Sequence, residues 1–129
     1  MKKIFTNGCF DIIHPGHLKL LEFCKSMGHV IVGLNSDKSV TRLKGEKRPI
    51  LNEEDRKYIL ESCKFVDEVI VFNENTPYDL IMEIKPDIIV KGGDWKVEEV
   101  SGHDLAKVLI YKYVDGYSTT KIIQDISSR

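Results

Sequence analysis

The sequence predicts an α/β fold: a doubly wound sheet of five parallel strands with helices on both faces. Three observations predict it. Short apolar runs alternate along the chain with segments that carry helix start signals, the pattern of successive β–α units. Runs such as Val30-Ile31-Val32-Gly33-Leu34 are continuous instead of alternating, as in strands buried on both faces. Polar segments follow several of these runs, and open sheets of this kind bind ligands beyond the carboxyl ends of their strands, at the switch point.

Residues 3–6 read as the first strand. The helix after it runs to Met27, with Leu18, Leu21 and Cys24 on one face and Gly28 as its C-cap. Residues 30–34 are the second strand, and 35–49 read as a polar connection. Asn52 is the N-cap of a second helix, with Glu53, Glu54 and Asp55 in its first turn, running to Lys64. Residues 68–72 are the third strand. Thr76 caps and Pro77 opens a third helix, which ends near Ile84, ahead of Pro86. Residues 87–90 and 108–113 are the fourth and fifth strands, and Ser118 caps a last helix to Ile126.

The chain has 129 residues, enough for one domain (1–129) with a real core, and no internal repeat, linker or low-complexity segment divides it. A net charge of −1 leaves no global basic field for nucleic acid. Cys9, Cys24 and Cys63 are odd in number and scattered, which speaks against a disulfide framework or a zinc knuckle and fits a reducing, cytoplasmic setting. No apolar run approaches the roughly 18 residues of a spanning helix, and the N-terminus lacks a signal-peptide apolar region. A protein that neither spans a membrane nor is secreted by that route is expected.

Four segments carry candidate chemistry. Thr6-Asn7-Gly8-Cys9-Phe10-Asp11-Ile12-Ile13-His14-Pro15-Gly16-His17 joins the first strand to the first helix. A helix start bears unpaired N–H groups and a partial positive charge, so it suits an anion. Gly8 lets the turn approach such a ligand, and His14 and His17 each add a donor or a full charge at the same mouth. The stretch reads as a phosphate-handling site. His-x-x-His also invites a zinc reading, but no third ligand stands at a familiar spacing.

Residues 41–49 contain Arg42, Lys44, Lys47 and Arg48, either a solvated loop or a mobile basic flap over a polyphosphate with Lys44, beside Gly45, as the main charge. Lys91-Gly92-Gly93-Asp94-Trp95 follows a buried strand. Its glycines allow close backbone approach, Trp95 offers an aromatic face, and Asp94 a carboxylate for a metal or a substrate hydroxyl; the plain alternative is a tight turn. Asp115-Gly116-Tyr117-Ser118-Thr119-Thr120-Lys121 sets three hydroxyls at a helix start, a second anion cap or simple N-capping.

Gly8-x-Phe10-Asp11-x-x-His14-x-Gly16-His17, together with Ser118-Thr119-Thr120, resembles the nucleotidyltransferase superfamily of cytidylyltransferases and adenylyltransferases over essentially the whole chain. Asn35-Ser36-Asp37, Leu43-Lys44-Gly45, Arg48-Pro49, Val90-Lys91-Gly92-Gly93-Asp94 and Gly116-x-Ser118-Thr119-Thr120 most resemble the D-glycero-D-manno-heptose 1-phosphate adenylyltransferases, a domain fused behind a sugar kinase in many bacteria. Glycerol-3-phosphate cytidylyltransferase is next.

The resemblance implies a Rossmann-like HxGH nucleotidyltransferase fold. It implies a reaction in which a sugar phosphate attacks the α-phosphorus of a nucleoside triphosphate and pyrophosphate leaves. It gives His14 and His17 the transition state and leaving phosphates, and makes Lys44 the flap lysine. Nucleotide contacts are implied for Asn7, Gly8, Phe10, Lys91, Gly92, Ser118, Thr119 and Thr120. Substrate contacts are implied for Asp11, Arg56 (on phosphate), Asp94 and Trp95. Mg2+ is expected with the triphosphate, its protein ligands unidentified, with ATP ahead of CTP as the nucleotide. A small phosphorylated acceptor and a homodimer complete the set.

Tyr113, Val114 and Asp115 stand where cytidylyltransferases usually carry Arg-Thr before the glycine of the final motif, which favours the adenylyl branch. Residues 102–107 look several residues shorter than in the heptose enzymes, on what is expected to be the acceptor side. A second reading is therefore a cytidylyltransferase acting on glycerol 3-phosphate or another small phosphate. A third, of another class, is a non-catalytic nucleotide-binding module on the same fold. Intact His14, His17 and Lys44 argue against that one.

Overall fold

The computed structural model describes residues 1–112 and 118–129. Among these, five strands form one parallel sheet in the order β3-β2-β1-β4-β5: β1 (Lys3–Gly8), β2 (His29–Asn35), β3 (Glu68–Phe72), β4 (Ile88–Gly92) and β5 (Lys107–Tyr111). The helices are α1 (Pro15–Lys25), α2 (Asp37–Lys44), α3 (Glu53–Glu61), α4 (Tyr78–Ile84) and α5 (Thr119–Ser127), with a 3-10 turn at Val97–Glu99.

Each face of the sheet has its own core, as the continuous apolar strands require. Ile4, Val30, Val32, Leu34, Val69 and Val90 pack with Leu20, Leu21 and Cys24 of α1 and Leu60 of α3. Phe5, Ile31, Ile89 and Val108 pack with Ile81 of α4 and Val100 on the other face. The doubly wound arrangement follows from this division.

Strand order reverses at β1, where β4 returns on the side opposite β2. β1 and β2 stay in register from Lys3↔His29 to Gly8↔Leu34. β1 and β4 pair only at Ile4↔Ile88 and Phe5↔Ile89. Beyond that point the two strands part, and their carboxyl ends border a crevice at the switch point.

Several boundaries differ from expectation, each for a local reason. α1 begins at Pro15, with His14 as its N-cap. Its buried face is Leu20, Leu21 and Cys24, while Leu18 is exposed. The polar stretch 35–49 contains a helix: Ser36 Oγ accepts from Ser39 N–H, Asp37 lies in the first turn, Arg42 and Lys44 in the last, and only Val40 and Ser39 are buried. So few apolar positions leave almost no periodicity to read. α3 ends at Glu61, before Lys64.

Thr76 does not cap α4. The Pro77 carbonyl accepts from Ile81 N–H, so the helix begins one residue later and Pro77 is itself the N-cap. Tyr113, the expected end of the fifth strand, and residues 114–117 lie outside the described residues. Residues 102–106 pack at the amino ends of β4 and β5: a Cβ on Gly102 would lie 2.9 Å from the Ile81 and Ile89 side chains. They are thus at the pole opposite the crevice, and the expectation that this short segment lies on the acceptor side is corrected. Among the described residues, no helix is long and apolar enough to cross a membrane.

Candidate active site

The β1–α1 loop is sharply bent. A Cβ on Gly8 would meet the Phe10 ring at 3.1 Å, so the glycine makes room for Phe10 to turn back into the core. Phe10 (φ 46°) and Ile12 (φ 56°) both adopt left-handed backbone, which costs an L-residue about 1 kcal/mol or more. Hydrogen bonds from three directions hold the bend. The Asp11 carboxylate accepts from Ile50 N–H (2.8 Å), Leu51 N–H (3.0 Å) and Arg48 Nε (3.1 Å). Arg56 Nη1 donates to the Cys9 carbonyl (2.8 Å). Thr119 Oγ1 donates to the Asp11 carbonyl (2.7 Å).

This bend delivers two histidines to the start of α1, and they cap it reciprocally. His14 Nδ1 accepts from Gly16 N–H (3.1 Å), and His17 Nδ1 accepts from His14 N–H (3.2 Å). The arrangement is the logic of a capping box with imidazoles in place of hydroxyl and carboxylate. A ring nitrogen that accepts carries no proton, so each ring holds its proton on Nε2 and is neutral. The rings stack at 3.8 Å, and Phe10 lies 5.2 Å from His17. Burial, then the neighbouring His14, holds His17 down to about 4, and burial lowers His14 as well. Near neutral pH the pair therefore offers N–H donors and not imidazolium charge.

Arg56 is the hub of the adjoining wall. It is wholly buried, and its guanidinium donates to the carbonyls of Leu51, Cys9 and Asn35 and to the Asp37 carboxylate. One side chain thus ties together the ends of β1 and β2, the start of α2 and the segment before α3. Asp11 is equally buried. In this structure neither side chain reaches open space: Asp11 is engaged by two backbone N–H groups and Arg48, and Arg56 by three backbone carbonyls and Asp37. Phe10 likewise turns its ring inward and props His17.

The basic segment divides. Arg42 donates to Asn75 Oδ1 and the Asn73 carbonyl, and Arg48 pairs with Asp11. Lys44 and Lys47 remain exposed. Lys44 sits at the end of a helix and not in a flap, and Gly45 (φ 105°) turns the chain out of it.

Opposite, Lys91 and Gly92 end β4, with Lys91 Nζ 4.9 Å from the Trp95 ring centroid. Burial and then the like charge of Lys44 hold the Lys91 ammonium below its ordinary value, against an opposing effect of Cys9. Burial likewise raises the Cys9 thiol, opposed by Lys44, Arg56 and Arg48. Lys44, Lys91 and Cys9 therefore share one electrostatic neighbourhood beside the half-buried Asn7 and Gly8. Asp94 and Trp95 are exposed at its edge. Ser118 caps α5 by accepting from Lys121 N–H (2.9 Å), and Thr120 is exposed. Among the described residues, no group of three or more His, Cys, Asp or Glu side chains is placed to share a metal ion.

Sequence reasoning missed Arg48 as the partner of Asp11 and Cys9 as a member of the basic neighbourhood. It also missed the inward turn of Arg56. A signal for the last was present: Arg56 and Leu60 lie four apart, on one face of α3.

Residues 5–125 match a family model described as Cytidylyltransferase-like. Over 127 residues, the chain is 55% identical to the bifunctional protein HldE of Aliarcobacter butzleri and 52% identical to that of Helicobacter pylori. Each match covers 97% of this chain and 27% of the relative, so the chain spans little more than a quarter of those proteins. The crystal structure of the lipopolysaccharide core biosynthesis protein from Thermoplasma volcanium matches with a TM-score of 0.75 at 29% identity, covering 89% of this chain and 99% of that one. A protein of unknown function from Archaeoglobus fulgidus shares the fold (TM-score 0.60, 20% identity, 84% and 95% covered). Sequence, fold and the histidine loop at the switch point agree, and the chain belongs to the cytidylyltransferase-like family.

Proposed function

We propose that this chain is a nucleotidyltransferase that moves AMP from ATP to D-glycero-D-manno-heptose 1-phosphate, releasing pyrophosphate and forming a nucleotide-activated sugar. The observation that carries the reading is the reciprocal capping of His14 and His17, which fixes both rings, neutral and stacked, at the start of α1. The identity to HldE proteins and the likeness to a lipopolysaccharide core biosynthesis protein support the sugar phosphate.

In this reaction an oxygen of the acceptor phosphate forms a bond to the α-phosphorus. The bond from that phosphorus to the bridging oxygen breaks, and its electron pair leaves with pyrophosphate. Negative charge grows on the α-phosphoryl and bridging oxygens, so fixed donors aimed there act mainly in the transition state. His14 and His17 supply such donors through their rings, since Pro15 has no N–H and the Gly16, His17 and Leu18 N–H groups are taken within the cap, and Lys44 and Lys91 supply charge. Asn7, Gly8 and Gly92 line the approach of the nucleotide, Ser118 and Thr120 meet the triphosphate, and Trp95 and Asp94 flank the acceptor.

Magnesium enters as MgATP. Asp11, the carboxylate nearest the histidines in sequence, is already engaged by three N–H donors, so the ion would draw its ligands mainly from the triphosphate and water. Bound there, the ion neutralises phosphate charge. A cytoplasmic homodimer is part of the same reading. The short 102–106 segment lies away from the crevice and no longer favours the glycerol 3-phosphate reading.

The test is pyrophosphate release with magnesium, crossing ATP, CTP, GTP and UTP with heptose 1-phosphates, glycerol 3-phosphate and other small phosphates. Release with ATP and a heptose 1-phosphate is expected. Release with CTP alone would move the protein to the cytidylyl branch. Nucleotide binding without release for any pair would favour a binding module.

A further inference from the structure

We propose that Thr119 is a positioning residue that couples the docking of α5 to the shape of the histidine loop, instead of donating its hydroxyl hydrogen to the nucleotide. The loop contains two left-handed non-glycine residues, Phe10 and Ile12, either side of Asp11. A β-branched residue such as Ile12 holds that conformation only when its surroundings impose it. Arg56 fixes the loop upstream at Cys9, and the Asp11 carboxylate is fixed from its side. The carbonyls of Asp11 and Ile12, between the bend and the histidines, take a hydrogen bond from another direction: Thr119 Oγ1, at 2.7 and 3.3 Å, from 108 residues away.

Among the described residues, Thr119 is the one residue of α5 with a side-chain hydrogen bond to the β1–α1 loop. None of its residues is buried, and Ile126 is 63% exposed. The Thr119 hydroxyl ties this helix to the body, and it lands on the strained loop. A hydroxyl has one hydrogen, and here it is engaged by the Asp11 carbonyl. Ser118 and Thr120 stand on either side of it. Thr119 already holds the loop that carries His14 and His17 without a ligand, and a triphosphate bound by those neighbours, on the reading proposed above, keeps α5 seated there.

The experiment compares Thr119→Val, which keeps the shape and loses the hydroxyl, with Thr119→Ser, which keeps the hydroxyl. In the nucleotide-free protein, ring proton–carbon correlations of His17 are recorded, with circular dichroism to establish folding. Steady-state pyrophosphate release is measured in parallel. The expected result is displaced His17 ring signals in Thr119→Val without nucleotide and a kcat lowered roughly tenfold, the worth of one hydrogen bond, with KM for ATP moved less. Thr119→Ser restores both. Unchanged His17 signals with a raised KM would assign Thr119 to the triphosphate and overturn the proposal. So would a Thr119→Ser protein as altered as Thr119→Val. If Thr119→Val does not fold, Thr119→Ala is read in the same way. Because the ring signals need no turnover, a protein inactive with every substrate pair would refute the transferase reading while still deciding the role of Thr119.

Discussion

The two walls of the crevice are built differently. On the β1–β2 side, Asp11 and Arg56 are buried, and the carboxylate and guanidinium bond to backbone groups of the ends of β1 and β2 and the segment before α3 and to the side chains of Arg48 and Asp37. On the β4 side, Lys91 lies against a Trp95 that is 44% exposed. The first wall holds the histidines in one arrangement before any ligand arrives, the condition for donors that act without reorganisation. The second keeps polar and aromatic groups open to solvent, as a surface that admits and releases substrates must. Rigidity and access are assigned to opposite sides of one switch point.

The sharpest way to break this comparison is to remove the hub. Arg56→Ala leaves three backbone carbonyls and Asp37 without their donor, and a loss of about 3–5 kcal/mol is expected from urea unfolding. A loss no larger than that of an exposed substitution would show that the first wall is not held as described.

Acid acts on the same wall. His17 titrates at about 4 in the folded protein against 6.5 in the unfolded chain, so the unfolded chain takes up its proton first. The stability contributed by the neutral pair is complete above pH 6.5 and is lost between 6.5 and 4, at most about 3 kcal/mol for His17, with His14 adding in the same direction. Unfolding midpoints taken from pH 7 to 4.5 should fall through this window. A constant midpoint from 7 to 5 would contradict the neutral cap.

Lys44→Ala sharpens the functional side. Charge neutralisation grows toward the transition state, so kcat should drop roughly ten- to a hundredfold with little change in Tm. The smallest effect is expected at Trp95→Ala on the open wall: about 1 kcal/mol or less in stability, with a higher KM for the acceptor in the pyrophosphate assay.

Much of this was legible in the sequence because it depends on local pattern. The continuous apolar runs announced strands buried on both faces, and Asn52 and Ser118 announced their helices through capping chemistry. The histidine pair was legible as the opening of the first helix, but not its reciprocal capping through both Nδ1 atoms, which depends on the bend of the loop before it. α2 was illegible because its stability rests on Ser36, Asp37 and a single buried valine instead of an apolar stripe. For Asp11 and Arg56, ligand contacts were what the family resemblance implied. Their partners within the chain lie 37 to 47 residues away, beyond what local pattern can show.

The most direct measurement is the rate of pyrophosphate release by His17→Ala beside the unaltered protein, with ATP, magnesium and a heptose 1-phosphate, and with Tm recorded for both. Loss of one preorganised donor predicts turnover lower by roughly two to three orders of magnitude in a protein that still unfolds cooperatively. Normal turnover in that variant would contradict the claim that the capped histidine pair performs the transfer.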